Sequence, residues 1–193
     1  MNKKYLETIK VEDGQIYHLE YHQWRLERAL GIKETHKLSE LLSPPQKGLY
    51  RCRIIYCKDT IHIEYIEYIK RQVKTLKIIY DDSIEYSKKY ENRESINTLY
   101  SQKEEADDIL IIKNSLIRDT SIANIAFFDG EIWFTPKNPL LEGTTRRRFL
   151  KSAKIVEKDI RVEEIKAFKK IALMNAMIDF DIIAKENIED IIC

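Results

Sequence analysis

Apolar and polar positions alternate along "YLETIKV" and again along "QIYHL", and the intervening Glu12-Asp13-Gly14 is an acidic hairpin signal. The period then lengthens. In "EYHQWRLERAL", His22, Leu26, Ala29 and Leu30 fall on one helical face, and Gly31 stops the helix. "KLSELL" predicts a short helix ended by Pro44-Pro45. "GLYRCRIIYC" and "TIHIEYIEYI" are rich in β-branched and aromatic residues, so they predict strands joined by Lys58-Asp59, and "VKTLKIIY" predicts another. From "DDSIEYSKKYENRE" onward the character changes. "NRESINTLYSQKEEA" carries Ile96, Leu99, Tyr100 and Lys103 at helical spacing, and "DDILIIKN" is the nearly continuous apolar run of a buried strand. "IANIAFFDGEIWFT" predicts a hairpin about Asp129-Gly130. "RRRFLKSAKIVEK" predicts a helix burying Phe149, Leu150, Ala153 and Val156, and "FKKIALMNAMIDF" a strand and turn. The pattern therefore predicts an α/β (α+β) chain in two parts, a small N-terminal α/β domain over 1–84 and a larger C-terminal domain over 85–193.

The chain has 193 residues, 44% of them hydrophobic and 34% charged, enough for a real core and too patterned for a disordered chain. Its net charge of +1 offers no general attraction to nucleic acid or to an anionic membrane. That balance argues against a nucleic-acid module built on "TTRRRFLKSAK". Cys52, Cys57 and Cys193 form no CxxC pair, and His18, His22, His36 and His62 have no metal spacing, so neither a disulfide framework nor a metal is expected. No apolar run approaches the ~18 residues of a membrane span. "MNKKYLETIK" lacks an apolar signal core, so a cytoplasmic protein is expected.

Candidate chemistry is scattered. Gly143-Thr144-Thr145 precedes a predicted helix, where backbone N–H groups and the helix dipole favour an anion. Three arginines there oppose the dipole unless an anion compensates them. The alternative is a threonine-capped helix with solvated arginines. Arg25, one turn after His22 at the edge of an apolar face, either reaches inward to a phosphate or snorkels to water. In an extended Lys88-Lys89 pair only one lysine points inward. Partly desolvated, that lysine is suited to form a Schiff base; otherwise the pair is surface charge. Asp119 is either a turn former or, if buried beside a heterocyclic nitrogen, the acid that keeps it protonated. Arg51 and Arg53 share a strand face suited to a carboxylate, or are ordinary exposed strand arginines.

Three segments in order carry a family resemblance. "LETIKVEDGQIYHLEYHQWRLERAL" (residues 6 to 30), "KYENR" and "DTSIANIAFFDGEIWFTPKNPLLEGTTR" are similar to the opening, the lysine segment and the E-x-S-x-S-N-I-F…DG…TP…LL-x-G-I-T-R signature of class IV aminotransferases. Together they reach most of residues 6 to 180. The resemblance implies a two-domain, fold type IV enzyme, D-amino-acid aminotransferase-like, using pyridoxal 5'-phosphate (PLP), acting on a small amino substrate and assembled as a homodimer. By position it implies Lys89 as the Schiff-base lysine, since Lys88 fails the spacing to Asn92 and Arg93. It further implies Arg25 with Thr144 and Thr145 at the cofactor phosphate, and Asp119 at the pyridine nitrogen where the family has glutamate. Asn124 is the signature asparagine among the cofactor-binding residues. "IALMNAM" (residues 171 to 177) resembles the C-N-A/S-L-M segment of aminodeoxychorismate lyases, adding Asn175 to that set and favouring conversion of 4-amino-4-deoxychorismate to 4-aminobenzoate and pyruvate. A D-amino-acid or branched-chain transaminase and a non-catalytic PLP-binding relative are the alternatives. The departures are Asp for Glu at 119, Ile122 at a commonly polar position, Thr144 for isoleucine, and no upstream strands with their Gly-Asp-Gly turn.

Overall fold

The computed structural model describes residues 3–33 and 35–184, and the chain divides into two compact units. The first comprises, among the described residues, those from 3 to 70 and 88–92. Its sheet is antiparallel, ordered β2-β1-β3-β4, from β1 (Tyr5–Glu12), β2 (Gln15–Ile16), β3 (Leu49–Tyr56) and β4 (Ile61–Glu67). The hairpin between β1 and β2 turns on Asp13 and Gly14, both at positive φ (46° and 79°), as the Asp-Gly signal requires. Helices α1 (Leu19–Leu30) and α2 (Leu38–Leu41) follow, and Gly31 ends α1 in the left-handed conformation, its N–H donating to Glu27 O. Ile9 and Val11 of β1, Cys52, Ile54 and Tyr56 of β3, Leu26 and Ala29 of α1 and Leu38 of α2 form the core. Each large aliphatic chain so buried contributes ~1.5–3 kcal/mol. The segment 88–92 returns to this unit along the start of β1: Tyr90 bridges and stacks on Tyr5, and the Leu6 N–H donates to Lys89 O (2.8 Å).

The second unit comprises, among the described residues, 71–87 and 93–184. Strand β5 (Leu76–Tyr80) runs parallel to β6 (Asp108–Lys113), with α3 (Glu94–Tyr100) between them in sequence. The expected division near residue 84 therefore moves to residue 70, because β5 pairs along its length with β6. Strand β6 is buried, as its apolar run predicts. β7 (Leu116–Thr120), β8 (Asn124–Phe128) and β9 (Trp133–Pro136) follow antiparallel in succession, and β10 (Val156–Lys158) runs parallel to β9. Strand β11 (Lys170–Asn175) pairs antiparallel with β8 and with β12 (Asp179–Ala184). Pairing of β7 with β8 is confined to Asp119↔Asn124. Leu76, Leu110, Ile112, Ile117, Ile125, Phe127, Ile171 and Leu173 are central to the core.

Two expectations need correction. β7 reads as a strand only in the structure, because its turn uses Asn114 and Ser115 at positive φ (53° and 60°) without a glycine. Helix α4 (Thr144–Lys151) starts at the threonines and stops earlier than predicted. Ala153, at φ 55°, donates its N–H to Leu150 O while Lys154 donates to Phe149 O, the paired bonds of a helix stop. Ala153 and Val156 are consequently exposed, and Ile155 is buried in their place.

Candidate active site

In the second unit the signature residues form a closed hydrogen-bonded clasp. Asp119, near the end of β7, is buried. Its Oδ1 accepts from Asn124 Nδ2 (2.7 Å) and its Oδ2 from the Leu141 N–H (2.9 Å), while Asn124 Nδ2 also donates to Leu141 O (2.8 Å). Burial pushes the Asp119 carboxyl up to about 6. The Leu141 N–H, the Asn124 amide and the charge of Arg146 restrain the rise, so the group is mostly ionised at neutral pH. Asp119 is thus a buried strand carboxylate and not a turn former. The loop after it is pinned from three sides: Arg93 Nη2 donates to Ser121 O (2.7 Å), Asn175 Nδ2 to Ile122 O (3.3 Å), and the Ala123 N–H to Thr120 Oγ1 (3.1 Å). Asn175 Oδ1 accepts from the Met177 and Ile178 N–H groups (2.9 and 3.1 Å), so this side chain holds the β11–β12 turn and the Ile122 carbonyl. Ile122 itself is exposed.

Gly143 stands at the start of α4 in an ordinary extended conformation (φ −69°, ψ 146°) and gives no side-chain cap. Thr144 and Thr145 behind it are buried. The arginine run does not need a bound anion for compensation. Arg146 turns inward to Pro136 O (2.8 Å) and Glu157 Oε1 (2.6 Å), Arg148 pairs with Asp179 and lies over the Phe149 ring, and Arg147 is exposed.

In the first unit Arg25 points inward. Its Nε and Nη2 donate to Glu7 Oε1 and Oε2 (2.8 and 2.6 Å), a two-pronged contact that fixes the guanidinium plane. His22 Nδ1 lies 2.7 Å from Glu7 Oε2. Burial alone raises a carboxyl, but the Arg25 charge and the hydrogen bonds from His22 and Arg25 outweigh it and hold Glu7 well below the ordinary range. His22 is lowered by burial, with the charges of Arg25 and Lys89 adding to the effect, and so stays neutral and donates Nδ1–H. Glu7 and His22 are functional candidates that sequence reasoning missed. The signal was an acid two residues before Ile9 in the inward register of β1, opposite the helix that carries Arg25.

Lys88 and Lys89 part company. Lys88 Nζ donates to Ala29 O (2.7 Å) and sits over the Tyr5 ring, a structural post. The Lys89 carbonyl is tied to β1, which fixes its Cα, and its charge is felt at His22. Arg53 pairs across strands with Glu64 (2.6 Å), whereas the neighbouring Arg51 on the same face has a buried Nε without a hydrogen-bond partner. Among the described residues no cluster of His, Cys, Asp and Glu could hold a metal ion, and no helix is long and apolar enough to cross a membrane.

Residues 97–184 match the Amino-transferase class IV family. A candidate 4-amino-4-deoxychorismate lyase of Haemophilus somnus 129PT is 35% identical, with a TM-score of 0.84 over 92% of this chain and 97% of the other. The chain belongs to the class IV aminotransferases. An uncharacterised protein of Haemophilus influenzae is 41% identical over 180 residues, 89% of this chain and 96% of its relative. An aminotransferase of Brucella abortus, bound to the cofactor PLP, shares the fold at 15% identity, with a TM-score of 0.74 over 94% of this chain and 80% of the other.

Proposed function

We propose that this class IV aminotransferase family member uses PLP to convert 4-amino-4-deoxychorismate to 4-aminobenzoate and pyruvate. The observation that carries the cofactor reading is the Asp119 clasp, a buried carboxylate kept mostly ionised at neutral pH by two N–H donors. That is what a pyridine nitrogen needs in order to stay protonated. In the same unit Thr144 and Thr145, buried at a helix start without a side-chain cap, suit a phosphate. In the first unit Arg25, held rigid by Glu7, is the phosphate arginine, and Lys89 is the amine that bonds the cofactor. When bound, the cofactor supplies an electron sink for carbanion chemistry. Lys89 Nζ takes the proton from the amine-bearing ring carbon and returns one to the methylene carbon of the departing enolpyruvate, so the substrate divides into two products with no water added. Arg51 and Arg53 hold substrate carboxylates. The lyase reading over transamination is supported by the Haemophilus somnus relative and by the "MNAM" segment.

The test is purified protein with added PLP, beside Lys89→Ala. A visible band in the wild type that is lost in the variant, with borohydride trapping on Lys89, supports the cofactor reading, and its absence from both proteins refutes it. Release of 4-aminobenzoate and pyruvate in equal amounts supports the lyase. Amino-group exchange between amino and keto acids without pyruvate release makes the enzyme a transaminase.

A further inference from the structure

Gly143 raises a question its backbone does not answer. At φ −69° and ψ 146° it has a conformation open to any L residue. Its need for a missing side chain is spatial. A Cβ at this position would overlap Asn124 Oδ1 and lie 3.2 Å from Asn124 Cγ. Asn124 cannot easily yield, because Nδ2 donates to both Asp119 Oδ1 and Leu141 O, and the planar amide then leaves one place for Oδ1. That place is against Gly143.

We propose that Asn124 is the positioning residue for Asp119 and that Gly143 is the space that lets it act, so that one amide ties the acid of β7 to Leu141, in the segment that leads into α4, while lying against Gly143. A side chain at 143 must either push Asn124 off Asp119 or shift Thr144 and Thr145. The neighbours that act on Asp119 are the N–H groups of Leu140 and Leu141, the Asn124 amide from β8, and the charge of Arg146 from α4. Of these the amide is the one that Gly143 controls. The consequence for the ligand rests on the PLP reading: a rigid heteroaromatic phosphate, which cannot adjust its own length, has its ring-nitrogen partner and its phosphate turn set against each other by Asn124. The coupling itself belongs to the protein without ligand.

The experiment compares wild type, Asn124→Ala, Gly143→Ala and the double variant, without cofactor, by carbon NMR of ¹³C-labelled aspartate. The Asp119 signal is assigned by its loss in Asp119→Asn. Wild-type Asp119 is expected to titrate near pH 6. Asn124→Ala removes a hydrogen bond to the ionised form and is expected to tighten proton binding ~10-fold. Gly143→Ala is expected to move the midpoint in the same direction. In the Asn124→Ala background it should add nothing, since the atom it collides with is gone. A Gly143→Ala midpoint equal to wild type, or an equal further rise in the double variant, overturns the proposal. If Gly143→Ala alone fails to fold while the double variant folds, the overlap is with the amide and the proposal stands. If both fail while Asn124→Ala folds, it falls. PLP titration of the same proteins is scored separately, so absence of PLP binding refutes the cofactor reading and leaves the NMR result to judge the coupling.

Discussion

Replacing Glu7 by glutamine tests the buried charge cluster of the first unit most directly. The wild-type carboxylate accepts three contacts: Arg25 Nε at 2.8 Å, Arg25 Nη2 at 2.6 Å and His22 Nδ1 at 2.7 Å. Glutamine offers one acceptor oxygen and an NH2 group that must face a donor. It also removes the Glu7 charge from beside Arg25, whose side chain is 9% exposed. Two routes give the magnitude. Breaking a buried pair from one side costs ~3–5 kcal/mol. Moving a carboxyl from 4.5 to about 2, at ~1.4 kcal/mol per pH unit, corresponds to ~3 kcal/mol. A loss of ~3 kcal/mol at pH 7 is therefore expected, within the stability of an ordinary domain. The sign of the pH dependence follows. The folded value of Glu7 lies below its unfolded value, so its contribution is complete above 4.5 and disappears as pH falls toward 2. His22 is also lowered, chiefly by burial, so the unfolded chain takes its proton first and stability declines as pH drops below 6.5. Urea unfolding followed by far-UV circular dichroism at pH 7, 5 and 3 is the assay. Wild type and E7Q should converge as the pH falls. A difference below ~1 kcal/mol at pH 7, or one of the same size at pH 7 and 3, would show that the cluster does not carry the energy its geometry implies.

Lys88→Met should lower stability by ~1 kcal/mol through the lost bond to Ala29 O while leaving the cofactor band in place, the reverse of Lys89→Ala; urea midpoints and visible spectra separate the two. Arg51→Ala should raise KM for a dicarboxylate substrate ~10-fold and Arg53→Ala less, because Arg53 is already engaged by Glu64 whereas Arg51 Nε is not; steady-state kinetics of both variants decide. Gly31→Ala places a side chain at φ 70° in open space, so its cost is conformational and should be ~1 kcal/mol, measured as a lowered Tm with PLP binding unchanged.

Much of this protein was decided locally, and those parts are legible in the chain. The hairpin at Asp13-Gly14, the stop of α1 at Gly31 and the buried run of β6 each depend on residues within a few positions, through left-handed backbone or simple periodicity. The ordered segments "KYENR" and "DTSIANIAFF…GTTR" likewise pointed to the family without coordinates. Tertiary structure decided what depends on partners distant in sequence. Whether Arg25 faces water or the core depended on Glu7, eighteen residues earlier on another element. Lys88 was separated from Lys89 by the Ala29 carbonyl, and the arginine run of α4 was balanced by Glu157 and Asp179. The second unit's boundary lay where β5 found β6, a pairing no composition change marks. Gly143 shows the limit most clearly. Its backbone is unexceptional, so nothing in the chain distinguishes a glycine kept for a ligand from one kept for a neighbour, and only the amide of Asn124 in the adjoining space shows what the missing side chain makes room for.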